Sequence, residues 1–457
     1  MLSWVQDKRE AHPGAARIQT FDNSSRQIMR RIVCGFTALT VLFWLFGLWY
    51  MPPTYDARGW SHEIFFVTGV VAWGWMALCL IIAVRPAWLE RVTQTPLDSL
   101  YVWHRRLGWW ALALAFVHFF TKTIFSPVIA LFNLPRPGRF VAAENPDFWA
   151  GFWASLRPIA NTSAEWLTWA MLVLCLLAVV RALRYTHWLK FHKILSIVFL
   201  GLTLHCVRLM DASDFMTPFG WLNLAVTAAG AVAALILLFR GPGAKLREEG
   251  TVVETEVRGS TTKWVIETPL AQRVNPGQFV FAATQGEPLH PFSVAGIEDG
   301  RITLMIRRLG DYTTDVVPNI QKGASVKLEG PWGAFRPVFD EKPQTWGAAG
   351  IGIAPFMAWL EAAAHEKHGP IALCWCIRDL EKEGYADEVK AACENAGVTL
   401  RVFESKVRRA TVEELLADKP ERLAICGGAS LAKSLRKTWK GSPDALMTEE
   451  FHWRHAK

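Results

Sequence analysis

Residues 101–121 read YVWHRRLGWWALALAFVHFFT and residues 190–209 read KFHKILSIVFLGLTLHCVRL, two apolar runs of membrane-spanning length that each carry two histidines. His104 and His118 stand 14 positions apart in the first run, and His192 and His205 stand 13 apart in the second. An ionisable side chain in the hydrocarbon core is costly, and it marks a functional site by default. On an α-helix 14 residues rise about 21 Å in about 3.9 turns, which keeps His104 and His118 on one face with one near each side of a ~30 Å core. The second pair matches this level but falls roughly 140° out of phase on an ideal helix, so a bend or a change of winding is expected between His192 and His205. A single such histidine reads more readily as an interhelical hydrogen-bonding residue. The tetrad, paired as His104 with His192 and His118 with His205, reads as two bis-imidazole sites, for an inner and an outer haem of the b type.

Outward from these runs, the chain divides into a membrane part followed by a soluble part. Hydrophobic residues make up 51% of the 457, yet the long apolar runs stop near Phe239 and the remainder mixes charged and apolar positions. Six runs are long enough to span: 32–50, 63–84, 101–121, 164–183, 190–209 and 219–239. Residues 1–30 read as a cytoplasmic tail and not as a cleaved signal peptide. Lys8, Arg9, Arg17, Arg26, Arg30 and Arg31 precede the first span, Arg85, Arg91, Arg105 and Arg106 flank spans two and three, and Arg181, Arg184, Lys190 and Lys193 surround the connection from four to five. The positive-inside rule makes these segments cytoplasmic, with both termini inside the cell's inner (plasma) membrane. The loop at 122–162, with Lys122, Arg136, Arg139 and Arg157, opposes this only mildly. His104 and His192 then lie at the inner ends of their helices, and His118 and His205 at the outer ends.

Topology explains the net charge of +8, and no basic face interleaved with aromatics points to nucleic acid. Several of the 23 tryptophans, among them Trp44, Trp49, Trp60, Trp88, Trp103 and Trp221, stand near span ends as interfacial anchors. The eight cysteines form neither a disulfide framework nor a CxxC metal motif, and they read as small buried residues or reduced thiols.

Beyond Gly241-Pro242-Gly243, short strands are expected at 251–257, 263–267, 278–282, 301–307 and 325–328, with Asp299-Gly300 as a hairpin turn. These make an antiparallel barrel over 247–336. Over 343–457 strands at 371–376, 399–403 and 423–426 alternate with helices starting near Pro355, Tyr385, Val412 and Ala429, a parallel α/β layer. The fold class is therefore multi-domain: a tail (1–30), a six-helix transmembrane bundle (31–240), the barrel and the nucleotide-binding layer. Gly350-Ile351-Gly352-Ile353-Ala354-Pro355 sits where a strand turns into a helix. There, small residues let backbone N–H groups approach a pyrophosphate, and proline suits the first helical turn. Alone, this stretch reads equally as an ordinary tight turn.

Its neighbours carry a resemblance. His290-Pro291-Phe292-Ser293 resembles the flavin-binding signature of the ferric reductase/NADPH oxidase superfamily, a branch of the ferredoxin-reductase-like flavoproteins. Arg307-Arg308-Leu309-Gly310-Asp311-Tyr312-Thr313 resembles its phosphate-binding segment, and Gly330-Pro331-Trp332-Gly333-Ala334-Phe335 the block that closes the barrel. Gly350 to Pro355, Cys426-Gly427-Gly428 and Glu449-Glu450-Phe451-His452-Trp453-Arg454 are similar to nicotinamide-domain blocks in the same order. The histidine spacings resemble those of the eukaryotic oxidases, and the resemblance covers about residues 30–457. Two departures are visible: Ala349 where another glycine is usual, and Lys122 where many oxidases place a second histidine one turn beyond the outer ligand.

The resemblance implies FAD, two haems, and NADPH or NADH as donor. His290 would lie against the flavin's phosphate-ribose side with Pro291 and Phe292 completing its motif, Ser293 near the reactive flavin nitrogen, and Arg307 on the pyrophosphate. Gly310 and Thr313 would serve the same phosphates, and Gly330 and Gly333 the barrel-closing block. Gly350, Gly352, Pro355, Cys426 and Gly427 would hold the nicotinamide nucleotide. Phe451 is the expected aromatic shield over the flavin and Glu449 the carboxylate beside it. Arg378, Ser405 and Lys406 could meet a 2′-phosphate, which favours NADPH. The implied activity is an NAD(P)H-dependent membrane oxidoreductase, which exports electrons through the inner and outer haems to an acceptor at the far face. A ferric chelate is the first expectation. Oxygen, with superoxide released, and a periplasmic protein docked on the 122–162 loop are the alternatives.

Overall fold

The computed structural model describes residues 21–50, 52, 57–131, 148–179, 185–210 and 214–450. The first 20 residues, residues 132–147, Arg181, Arg184 and Phe451 lie outside the described residues, as does the side chain of Lys122. Two compact units divide the chain. One holds Met29–Leu89 and Leu100–Ala244; the other holds Glu90–Ser99 and the residues from Lys245 onward.

In chain order the helices of the apolar half are α1 (Phe21–Tyr50), α2 (Ala57–Val84), the short α3 (Leu89–Thr93), α4 (Leu97–Leu131), α5 (Phe148–Val179), α6 (Tyr185–Arg208) and α7 (Pro218–Phe239). Among the described residues five stretches are long and apolar enough to cross a membrane: Ile28–Tyr50, Glu63–Val84, Gly151–Ala178, His187–Arg208 and Pro218–Phe239. The third expected span does form a helix, α4, but it is not among the five. The α6 helix runs from Tyr185 to Arg208 without a 3-10 or π turn, so the expected change of winding between its histidines is absent.

Small residues let these helices approach, as close packing in lipid requires. Trp73 of α2 stacks on Phe199 of α6 at 3.9 Å and donates its indole N–H to Thr227 of α7 at 2.8 Å. A Cβ on Gly230 of α7 would lie 2.3 Å from the Phe199 ring, so glycine makes room for this joint. Leu42, Leu45, Trp49, Val232 and Leu235 face outward, as lipid contact allows. At the end of α7, Gly241 takes φ +75° and its N–H returns to Ile236.

In the second unit, six strands close an antiparallel barrel in the order β1-β2-β5-β4-β3-β6. They are β1 (Arg247–Arg258), β2 (Thr261–Glu267), β3 (Phe279–Thr284), β4 (His290–Glu298), β5 (Arg301–Arg307) and β6 (Ser325–Trp332). Alternating residues such as Trp264 and Ile266, or Ile302, Leu304 and Ile306, fill its interior. Asp299 (φ +43°) and Gly300 (φ +77°) make the tight β4–β5 turn, with both residues in the left-handed region. Gly277 (φ +86°) leads into β3 so close to the chain after β6 that a Cβ there would lie 1.7 Å from the Phe335 carbonyl oxygen.

The parallel sheet that follows has the order β11-β10-β7-β8-β9. Its strands are β7 (Gln344–Ala349), β8 (Ile371–Ile377), β9 (Thr399–Glu404), β10 (Arg422–Gly427) and β11 (Leu446–Glu450), interleaved with α8 (Ala354–Ala363), α9 (Ala386–Asn395), α10 (Val412–Leu415) and α11 (Ala429–Thr438). From β7 the chain winds outward through β8 and β9, then returns to place β10 on the other side of β7. The carboxyl ends of β7 and β10 therefore form the topological switch point, where open α/β sheets bind ligands. Trp346, Phe356 and Trp359 pack the core beneath it. Barrel and sheet are joined by Glu388, which pairs with Arg258 at 3.0 Å and Lys263 at 3.3 Å.

Candidate redox sites

Helices α4 and α6 bring the four histidines together in the pairs that their spacing indicates. The rings of His104 and His192 have centroids 5.9 Å apart, and those of His118 and His205 lie 6.4 Å apart. Two imidazoles ligating one metal in trans, each nitrogen about 2 Å from it, hold their centroids about 6 Å apart, so both pairs have the separation such a site needs. The α6 helix is continuously wound between His192 and His205, and both rings still meet their α4 partners. Among the described residues no group of three or more His, Cys, Asp or Glu side chains converges as a metal site. Each pair thus offers two ligands, and an ion held there must bring the rest of its coordination sphere with it.

The α4 rings are also oriented. His104 Nδ1 lies 3.1 Å from the carbonyl oxygen of Cys79, and His118 Nδ1 lies 2.8 Å from that of Phe65, both on α2. A carbonyl can only accept, so Nδ1 carries the proton and Nε2 keeps the lone pair for a metal. These carbonyls have no sequence signature and were not among the expected site residues.

In the other unit, a second cluster forms where β4 meets the ends of β10 and β11. Ser293 pairs with Phe279 across β3 and β4 and is buried. Glu449, 6% exposed, receives the thiol of Cys426 on Oε2 at 3.7 Å, and a Cβ at Gly333 would lie 3.8 Å from its Oε1. Burial pushes the Glu449 carboxyl up, with the Asp98 charge adding and Cys426 and Ser293 opposing, to about 8. It therefore holds a proton at neutral pH. Neither Asp98 nor its neighbour Glu90 carried any sequence signal, since both lie in a short charged connection. Glu90 accepts the Leu97 N–H at 2.6 Å, and burial raises its carboxyl to about 7.

His290 stacks on Tyr312 at 4.4 Å, nearly parallel, and burial pulls its imidazole down to about 4, so the ring is neutral. Pro291 and Phe292 follow it along β4, paired with Phe281 and Val280. Thr313 is occupied by its own turn: its hydroxyl accepts the N–H groups of Leu309 and Gly310 at 2.9 and 3.0 Å and so shapes the segment after Arg307. Arg307 pairs with Glu383 at 3.2 Å, a partner the motif did not indicate. A Cβ at Gly350 would lie 3.0 Å from the Arg307 Nη1, which places the glycine turn beside this guanidinium.

The glycines at the switch point each have a geometric reason. Gly350 takes φ +54° at the end of β7, and a Cβ at Gly352 would lie 2.3 Å from the Cys426 carbonyl oxygen. At the end of β10, Gly427 takes φ +157°, with Ala349 filling the space opposite. Pro355 lies in the first turn of α8. Gly330 ends the barrel with a cis bond to Pro331. Arg378 is exposed beyond β8, and Ser405 and Lys406 lie beside it beyond β9, linked through the Lys406 N–H to the Arg378 carbonyl at 3.1 Å. The Lys406 ammonium is held by Asp379 at 2.7 Å and Glu404 at 3.2 Å.

Residues 68–203 match the family described as "Ferric reductase like transmembrane component", a stretch that includes His104, His118 and His192. The chain is 35% identical over 95 residues to the toluate 1,2-dioxygenase electron transfer component of Pseudomonas putida, covering 20% of this chain and 28% of that one. It is 24% identical over 198 residues to the ferredoxin–NAD(P)(+) reductase component of the naphthalene 1,2-dioxygenase system of Pseudomonas putida, covering 39% of this chain and 60% of that one. It thus spans less than two thirds of the length of either relative. Among solved structures, the FAD/NAD-binding domain of nitric oxide dioxygenase from Vibrio cholerae O1 biovar El Tor aligns with 44% of this chain and 98% of its own, at 20% identity and a TM-score of 0.38. The ferredoxin reductase of carbazole 1,9a-dioxygenase aligns with 45% of this chain and 69% of its own, at 16% identity and a TM-score of 0.39.

Proposed function

We propose that this chain, which belongs to the ferric reductase/NADPH oxidase superfamily through its membrane component at residues 68–203, carries electrons from NAD(P)H across a membrane to an acceptor on the far face. The observation that carries the reading is the pairing of four histidines across α4 and α6 at 5.9 and 6.4 Å. Two haems would fit these residues, because each pair would supply two imidazole ligands to an iron that brings the rest of its coordination with it. On this reading α4 is the sixth span.

FAD supplies the conversion of a two-electron hydride into single electrons, and the haems carry those one at a time. His104 and His192 would hold the inner haem, and His118 and His205 the outer one. The neutral His290, Pro291, Phe292 and Ser293 line the flavin side of β4, and Arg307 offers its charge to the pyrophosphate, exchanging Glu383 for it. Glu449 holds a proton next to Ser293 and Cys426, where it can pass one to or from the reacting ring. Phe451, two residues on, is the proposed shield. The Gly350–Gly352 turn presents backbone N–H groups at the carboxyl end of β7, and Pro355 lets α8 begin there. Arg378 with Ser405 and Lys406 selects the 2′-phosphate of NADPH, and the two carboxylates around Lys406 orient its ammonium.

With both termini in the cytoplasm, outward electron transfer runs with a membrane potential that is negative inside. We take a ferric chelate as the acceptor, supported by the family and by Lys122, one turn beyond His118 where anionic chelates would be attracted. The test is to reduce the purified protein anaerobically with NADPH and compare haem reoxidation by ferric citrate and by oxygen. Faster reoxidation by ferric citrate supports the metalloreductase; faster reoxidation by oxygen replaces it with a superoxide-forming oxidase. Sluggish reaction with both points to a periplasmic protein acceptor. In the same preparation, His118→Ala should contain one haem in place of two while its flavin is still reduced by NADPH. Retention of both haems overturns the assignment.

A further inference from the structure

Helix α2 carries none of the four paired histidines, yet it meets both α4 histidines through backbone carbonyls. Cys79 and His104 clasp each other: the ring Nδ1–H donates to the Cys79 carbonyl at 3.1 Å, and the Cys79 thiol donates back to the His104 carbonyl at 3.5 Å. At the other end the Phe65 ring stacks on the His118 ring with centroids 3.8 Å apart, and the Phe65 carbonyl takes the His118 Nδ1–H at 2.8 Å. The Thr68 hydroxyl, shared with the Ile64 carbonyl at 2.7 Å, also reaches the Phe65 carbonyl at 3.0 Å. One turn along α2 stands Gly69. A Cβ there would lie 2.7 Å from Nδ1 and 2.8 Å from Cε1 of His118, closer than real Cβ contacts come.

The position of this glycine is informative because its backbone gives no reason for it. Gly69 lies inside a regular helix, where alanine is favoured by about 1 kcal/mol. Its geometric function is the empty space against which the His118 ring rests.

We propose that α2 is the orienting helix of both metal sites: the Phe65 and Cys79 carbonyls fix the tautomer and direction of His118 and His104, and Gly69 together with the Phe65 ring forms the seat of His118. The proposal rests on the reading that the histidine pairs hold haem. Orientation by a hydrogen bond on the remote ring nitrogen raises ligand basicity, and removing such a partner typically weakens metal binding 10–100-fold.

The test uses the full-length holoprotein and reads haem content, the low-spin electron paramagnetic resonance signals and the midpoint potential of each haem. His118→Ala and His104→Ala assign the signals to outer and inner sites. Gly69→Ala should displace the outer ring alone, so the outer haem is lost or its signal shifts and its potential rises, while the inner haem keeps its wild-type signature. Cys79→Ala should shift the inner signal alone. Gly74→Ala is the control: it adds the same methyl to the same helix, 2.1 Å from the Phe36 ring, and should leave both signatures unchanged. If Gly69→Ala does not accumulate, Phe65→Leu removes the stacking face without adding bulk and should shift the outer signal only.

Wild-type signals and potentials in Gly69→Ala, or in Phe65→Leu, would overturn the proposal, as would equal perturbation of both haems by Gly69→Ala and Gly74→Ala. Retention of two haems in His118→Ala defeats the haem reading itself, a different result from failure of the α2 variants alone.

Discussion

Glu449 makes the stability of the second unit depend on pH in a direction opposite to that of most carboxylates. In the unfolded chain its carboxyl titrates near 4.5; in the fold, burial and the Asp98 charge, against Cys426 and Ser293, carry it to about 8. Between these values the folded state keeps a proton that the unfolded state releases. Stability from this group is therefore fully present below about pH 4.5, falls as pH rises, and is lost above about pH 8. At about 1.4 kcal/mol per pH unit, the change over the window is on the order of 5 kcal/mol. Glu449→Gln places a neutral, nearly isosteric group at the site and removes the slope. The measurement is the unfolding midpoint of the full-length protein in detergent, wild type and variant, by near-ultraviolet circular dichroism across this range. The variant should gain on the wild type steadily with pH, by about 10–20 °C in all at 2–4 °C per kcal/mol for a unit of this size. Parallel curves would show that Glu449 is ionised in the fold and would remove the basis for the proton-holding role proposed for it.

Other expectations are briefer. Gly277→Ala combines a left-handed φ of +86° with a Cβ 1.7 Å from a carbonyl oxygen, so it should cost more than about 3 kcal/mol, seen as a large drop in the unfolding midpoint of the second unit. Arg378→Ala should raise KM for NADPH about tenfold, on the order of 1.4 kcal/mol, and leave KM for NADH nearly unchanged, by steady-state kinetics with each donor. Lys406→Ala should act in the same direction but less strongly, because Asp379 and Glu404 already share its charge.

Much of this architecture is legible in the sequence because periodicity and turn chemistry report local structure. The strand expected at 301–307 matches β5, and Asp299-Gly300 forms the tight turn that its residue types favour. The histidine pairing was readable because 3.6 residues per turn converts spacing into position. Of the two irregularities that the phase mismatch of the second pair suggested, a change of winding is absent from α6. What sequence could not show was whatever the backbone does. The Phe65 and Cys79 carbonyls look like any others, and Gly69 reads as one more small residue in a span. The inclusion of Glu90–Ser99 in the second unit was hidden for a related reason: a short charged stretch between two apolar runs looks like a solvated loop until its Glu90 is seen buried. Arg307 and Thr313 were identified by motif, but their partners, Glu383 and their own turn, come from the tertiary fold.

Phe65 and Cys79 are separated by the same 14 positions as His104 and His118, and the two helices run in opposite directions, so residue numbers across each contact add to the same total. This is a constraint on length as much as on chemistry. One residue gained or lost between Phe65 and Cys79, or between His104 and His118, would turn one contact by about 100° relative to the other and shift it by about 1.5 Å. No single readjustment of the helix pair restores both. Relatives that keep these contacts should vary freely in the lengths of their connecting loops while these two intervals stay fixed, and an insertion within either should occur only together with an equal one in its partner.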